Sequence, residues 1–120
     1  MAVSQGINAY DRIITISNPY IEITLHKAHE KKMQGNFDAA LAIYDEVLEI
    51  DPREARAHHS KGNILDLMGR YDEAISCYDA ALGCDPFNAE TWYNKGVTLN
   101  KMGCSDDSEE CMQQGVSLAL

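Results

Sequence analysis

Apolar and small residues in the middle of this 120-residue chain fall three to four positions apart: Ala57, Ile64, Leu65 and Met68, then Ala74, Tyr78 and Ala81. That spacing places each set on one stripe of an α-helix and predicts two helices, the second from about Asp72. Gly69 lies between them, where freedom to take positive φ permits a sharp reversal. Asp72 is positioned to accept hydrogen bonds from the first free amides of the second helix. Asp85-Pro86 ends that helix, because proline excludes helical geometry in the residue before it, and the next helix is expected from Asn88. Ala74 and Ala81 let the two helices approach closely, and Tyr71 and Tyr78 fill the space beside them. The unit is a helical hairpin.

The unit recurs. Tyr10, Tyr44 and Tyr78 are 34 residues apart, and the same step runs through Gly35, Gly69 and Gly103 and through Lys27, Lys61 and Lys95. A fixed period of that length predicts stacked supersecondary units, each unable to bury its apolar face alone. In register, the units are residues 21–54, 55–88 and 89–120, within one domain. Residues 1–20 are expected to form a half-repeat or capping helix, since Ala9-Tyr10-Asp11-Arg12-Ile13-Ile14-Thr15-Ile16 repeats the texture of residues 43–50. An extended segment competes, because Ile13, Ile14, Thr15 and Ile16 are all β-branched. The helix is preferred because an orphan strand has no sheet to join.

The residues at repeated positions carry a resemblance. Trp92, Gly96 and Leu99, with Ala74, Tyr78 and Pro86 and their earlier counterparts Ala40, Tyr44 and Pro52, resemble the signature of the tetratricopeptide repeat family. Departures occur at Lys27, Lys61 and Lys95, which replace an apolar residue, at Thr24 and His58, where an aromatic is common, and at Ser108 and Gly115, which replace alanines. The resemblance implies an all-α, right-handed superhelical solenoid of antiparallel helix pairs: three tetratricopeptide-like repeats plus the N-terminal half-repeat helix. First helices would line a concave groove that holds a peptide or helical segment of another protein. By that resemblance His29, Lys32, Arg56, His59, Asn63, Tyr93, Asn100 and Lys101 are candidate partner-binding residues. A subfamily that clamps chaperone C-termini uses lysines, asparagines and an arginine from three repeats. Asn63 and Asn94 fit two of its places, but His59 stands where a lysine belongs, so a co-factor of that type is not expected.

Charge narrows the partner. The chain carries 19 acidic and 10 basic side chains, for a net −9, whereas nucleic acid and anionic lipid require a basic surface. Neither is expected. The three second-helix segments hold thirteen carboxylates and no lysine or arginine, so all ten basic residues lie elsewhere. That segregation predicts an acidic or carboxylate-ended partner segment steered toward the groove. No run of eighteen apolar residues and no basic, apolar N-terminal start occurs, so neither a membrane span nor a signal peptide is expected and a cytoplasmic location is.

Site chemistry gives little else. Cys77 and Cys84, like Cys104 and Cys111, are seven apart, whereas zinc sites usually take pairs two to four apart, so reduced structural thiols are expected and no metal or cofactor. His26 and His29, one turn apart, lack a third ligand at matching spacing. No glycine-rich phosphate loop, GxSxG or HExxH is present, and catalytic residues are not expected. The leading reading is a non-catalytic protein-protein interaction scaffold. Its alternatives are a self-associating structural building block, through the apolar face of Met112, Val116, Leu118 and Leu120, and a regulatory domain excised from a larger protein.

Overall fold

Three glycines in the left-handed region set the chain's reversals: Gly35 at φ 78°, Gly69 at φ 77° and Gly103 at φ 83°. At each, the glycine amide and the one after it turn back onto carbonyls of the helix just ended, as in Gly69 N to Asp66 O at 3.0 Å and Arg70 N to Leu65 O at 2.8 Å. This is a helix stop that an L-residue with a Cβ would strain.

The computed structural model describes residues 18–120. The described residues form six helices and no strands: α1 Pro19–Met33, α2 Phe37–Ile50, α3 Ala55–Leu67, α4 Tyr71–Cys84, α5 Ala89–Lys101 and α6 Ser105–Ala119. They pack as successive antiparallel pairs, each helix against its chain neighbours, in a body of 57 × 34 × 20 Å. The expected all-α helical repeat solenoid is what forms. The half-repeat or capping helix expected over residues 1–20 lies outside the described residues up to position 17, and α1 starts at Pro19, two residues before the expected boundary.

Packing explains the recurring residues. Tyr44, Val47, Ala57 and Ile64 join Ile21, Ala28 and Ala40 in one core cluster, and Leu65, Ala74 and Tyr78 form the next. Ala40 and Ala74 are wholly buried. The Tyr78 ring abuts Gly62, where an added methyl would sit 2.6 Å from it, so the small residue there makes room for the tyrosine.

Several departures from the repeat signature are compensated in place. The Lys61 and Lys95 ammonium groups each sit 2.6 Å from a carboxylate of the preceding second helix, on Asp45 and Asp79, while their stems are largely buried. His58 puts Nε2 2.9 Å from the Pro52 carbonyl, as Trp92 puts its indole N–H 2.8 Å from that of Pro86 one repeat later. A carbonyl only accepts, so the imidazole carries its proton on Nε2 and substitutes for the indole donor. Ser108 donates to Gly96 O at 2.7 Å, which satisfies its buried hydroxyl.

The expected cap at Asp72 is corrected. α4 begins at Tyr71 after Arg70, with no side-chain cap bond, and Asp72 stands in the first turn, where a carboxylate favours the helix dipole. Side-chain caps come instead from asparagines: Asn18 to Tyr20 N at 3.0 Å, Asn36 to Ala39 N at 3.4 Å and Asn88 to Thr91 N at 3.0 Å.

Candidate partner-binding cleft

Side chains on one stripe of each first helix meet across the repeat boundary. On α3 the stripe is His59, Asn63 and Asp66, spaced by four and three residues; on α5 it is Thr91, Asn94, Thr98 and Lys101. His59 Nδ1 lies 2.7 Å from Thr91 Oγ1, Asn94 Nδ2 donates to Asn63 Oδ1 at 3.3 Å, and Thr98 Oγ1 and Lys101 Nζ both reach Asp66 at 2.7 Å. Tyr78 of α4 donates to the same Asn63 oxygen at 2.6 Å. Between α1 and α3, Arg56 makes a two-pronged contact with Glu22, at 2.7 and 3.2 Å, and also contacts Glu54. Every buried side-chain polar atom among the described residues has a partner.

Above this seam opens a cleft of about 590 Å³ lined by Glu22, Leu25, His29, Lys32, Arg56, His59 and Asn63, and beyond them by Asp85, Glu90 and Thr91. It brings together His29, Lys32, Arg56, His59 and Asn63 of the eight candidate residues. The other three lie elsewhere. Asn100 lines a separate apolar recess with Met112, Val116 and Leu120. Lys101 is drawn to Asp66, 6.0 Å above the Tyr71 ring. Tyr93 is at the close approach of α5 to α6, where a methyl on Gly115 would meet the Tyr93 backbone nitrogen at 3.0 Å.

The electrostatics differ from the sequence expectation of a mildly positive groove. Arg56 faces two carboxylates and Lys101 one, so much of the cationic character is neutralised from within. The side-chain hydrogen bond to Glu22 raises the guanidinium pKa and Arg56 lowers that of Glu22, each holding the other charged. Burial pulls the His59 imidazole below its ordinary value; Glu90, 3.6 Å away, opposes that and the Lys32 charge adds to it. Burial raises the Tyr78 phenol and the thiols of Cys77 and Cys111, which keeps them protonated and poorly nucleophilic. Among the described residues Lys32 makes no ion pair, His26 pairs with Glu30 at 2.9 Å, and no three potential ligands gather as a metal site.

Sequence reading missed Thr91, Asp85 and Asn88 at the cleft, and Glu54 as a partner of Arg56. The available signal was the repeat period itself: Glu22 and Arg56 are 34 apart and of opposite charge, so stacking brings them together.

Hairpins stacked along one axis, with a cleft on their first helices, define a helical-repeat array. The chain belongs to the tetratricopeptide repeat family, whose pattern matches residues 27–89, with a second tetratricopeptide repeat match at residues 77–110. No curated protein sequence matches it. Among similar solved structures, the type III secretion translocator chaperone SycD of Yersinia enterocolitica has a TM-score of 0.81 at 20% identity, over 86% of this chain and 78% of that one. MamA has a TM-score of 0.78 at 18% identity, over 82% of this chain; the chain spans 58% of MamA's length. The second such domain of Spaghetti (RPAP3), bound to an HSP90 peptide, has a TM-score of 0.78 at 13% identity, over 82% of this chain and 91% of that one. At these identities the likeness is one of fold. No described helix is long and apolar enough to cross a membrane.

Proposed function

We propose that the protein is a non-catalytic interaction scaffold that holds an extended or helical segment of a partner protein in the cleft of α1, α3 and α5. The observation that carries this reading is the cleft's composition: His29 and Lys32 of α1 and Arg56, His59 and Asn63 of α3 line one space of about 590 Å³. Such a row of polar groups on rigid elements suits backbone amides and side chains of a bound chain. The HSP90 peptide on the RPAP3 domain and the chaperone role in SycD's name are consistent with it.

The partner segment carries a carboxylate that seats on Lys32, the cleft lysine that makes no ion pair among the described residues, with His29 beside it as a hydrogen-bonding group. Asp85 and Glu90, at its other end, receive a basic or amide group. Fluorescence anisotropy with peptides that differ only in charge tests this. Acid-ended peptides should bind best, their association should slow as salt rises across the physiological range, and Lys32→Glu should abolish the preference. Preference for basic peptides, or indifference to Lys32→Glu, would move the partner to another face.

A second reading, weak self-association through α6, is supported by the apolar recess of Met112, Val116 and Leu120, where Val116 is half exposed. Sedimentation at high micromolar concentration should then show a mass above the monomer that Val116→Glu returns to the monomer. A monomer in both proteins ends this reading.

A further inference from the structure

Three of the chain's four histidines line the cleft: His26 and His29 from α1 and His59 from α3, around the same space as Lys32 and Arg56. The fourth, His58, is held by the Pro52 carbonyl. Imidazole is the side chain that gains a positive charge between pH 8 and 5, so this clustering ties the charge of the cleft to pH. Among the described residues the lining carries three carboxylates, on Glu22, Asp85 and Glu90, against the cations of Lys32 and Arg56, a balance of −1 with the rings neutral and +2 with all three charged. Glu30 and Glu54 pair with His26 and Arg56 from outside the lining; counting them lowers both figures by two and leaves the gain of three.

His59 is placed to accept either state. Thr91 Oγ1, 2.7 Å from Nδ1, donates to the neutral ring and accepts from the charged one, while Glu90, 3.6 Å from Nε2, attracts the charged one. Tyr78 of α4 sets its ring 5.8 Å from the imidazole and adds no charge in this range. Burial holds the imidazole below its ordinary value, Glu90 opposes this and the Lys32 charge adds to it, so an anion seated on Lys32 removes one obstacle to protonation. We propose that the cleft is an acid-engaged site, which takes the carboxylate of its partner with uptake of protons by His26, His29 and His59 and holds it more weakly toward neutral pH. This rests on the reading above that an acid-ended segment occupies the cleft. An ordinary carboxylate titrates near pH 4, so the partner keeps its charge over the range in which the cleft gains its own.

Anisotropy titrations of an acid-ended peptide and its amide-ended twin test this. The acid-ended peptide should bind about tenfold more tightly at pH 5.5 than at pH 7.5, a net uptake of roughly half a proton, and its twin should change by less than about twofold. Calorimetry at pH 6.5 in buffers of different ionisation enthalpy counts the same protons in the parent protein. In the triple variant His26→Gln, His29→Gln, His59→Gln, uncharged at these positions at every pH, the slope should flatten whatever the affinity at pH 7.5, with circular dichroism confirming the fold at both ends of the range. Equal binding at the two pH values, no proton uptake, or a slope that the variant retains overturns this inference and leaves the cleft reading standing. Absence of binding at both pH values overturns the two together.

Discussion

His59 shows how a single side chain takes its properties from the repeat next to it. With Nε2–H toward Glu90, Nδ1 accepts the Thr91 hydroxyl proton, an arrangement only the neutral ring supports. Its folded-state pKa lies below the unfolded value, so the folded state binds fewer protons. The contribution to stability is therefore complete above an unfolded pKa of about 6.5 and is lost as pH falls below it. The thermal midpoint of the parent should drop more between pH 7 and 5 than that of His59→Gln; parallel curves would refute this. Lys61 makes a contrasting case. Its stem is packed but its partner Asp45 is largely exposed, so Lys61→Leu should change stability by less than about 1 kcal/mol in chemical denaturation. A larger loss would show that the charge pair is required. The lysines were visible in the sequence as departures from a pattern, whereas their partners were not, because an ion pair between helices depends on side-chain reach as well as period. The same holds for Arg56 and Lys101, which composition marks as groove cations and the fold pairs with Glu22 and Asp66.

At the scale of the helices, the reading from sequence was close wherever one residue type has one physical use. Glycine at the turns, proline after Asp51 and Asp85, and alanine at the helix contacts each report a backbone or packing constraint, and α3 and α5 form where those signals placed them. The start of α4 was misplaced because Asp72 satisfies two rules at once, the cap and the first-turn carboxylate, and only geometry separates them. Tyr93 and Asn100 sit in helical register with the groove and yet outside the cleft, since α6 packs close to α5 through Gly115 and opens its own recess. The tightest contact gives the clearest expectation. Ala74 is wholly buried in its cluster with Leu65 and Tyr78, so Ala74→Leu should overpack it and destabilise by about 1 to 3 kcal/mol. An unchanged midpoint would be incompatible with this packing.

Across the whole molecule, each hairpin is joined to the next by a thin layer of contacts, and between α3 and α5 that layer is polar. Asp66 holds both Thr98 and Lys101 there, with its side chain 13% exposed. Asp66→Ala would leave those donors without their acceptor and loosen α5 and α6 from the rest of the array. Urea unfolding should then broaden, with a lower apparent m-value, as the last pair opens before the others. A single steep transition in the variant would show that the apolar contacts alone couple the hairpins. The order of those contacts has a consequence for synthesis. Each described helix after α1 packs against the one made just before it, so none of them waits for a distant partner. At about 5 to 20 residues per second, a new hairpin leaves the ribosome every few seconds, far longer than a local helical contact takes to form. The growing chain can therefore add finished structure to finished structure, each new hairpin covering the face that the one before it left open.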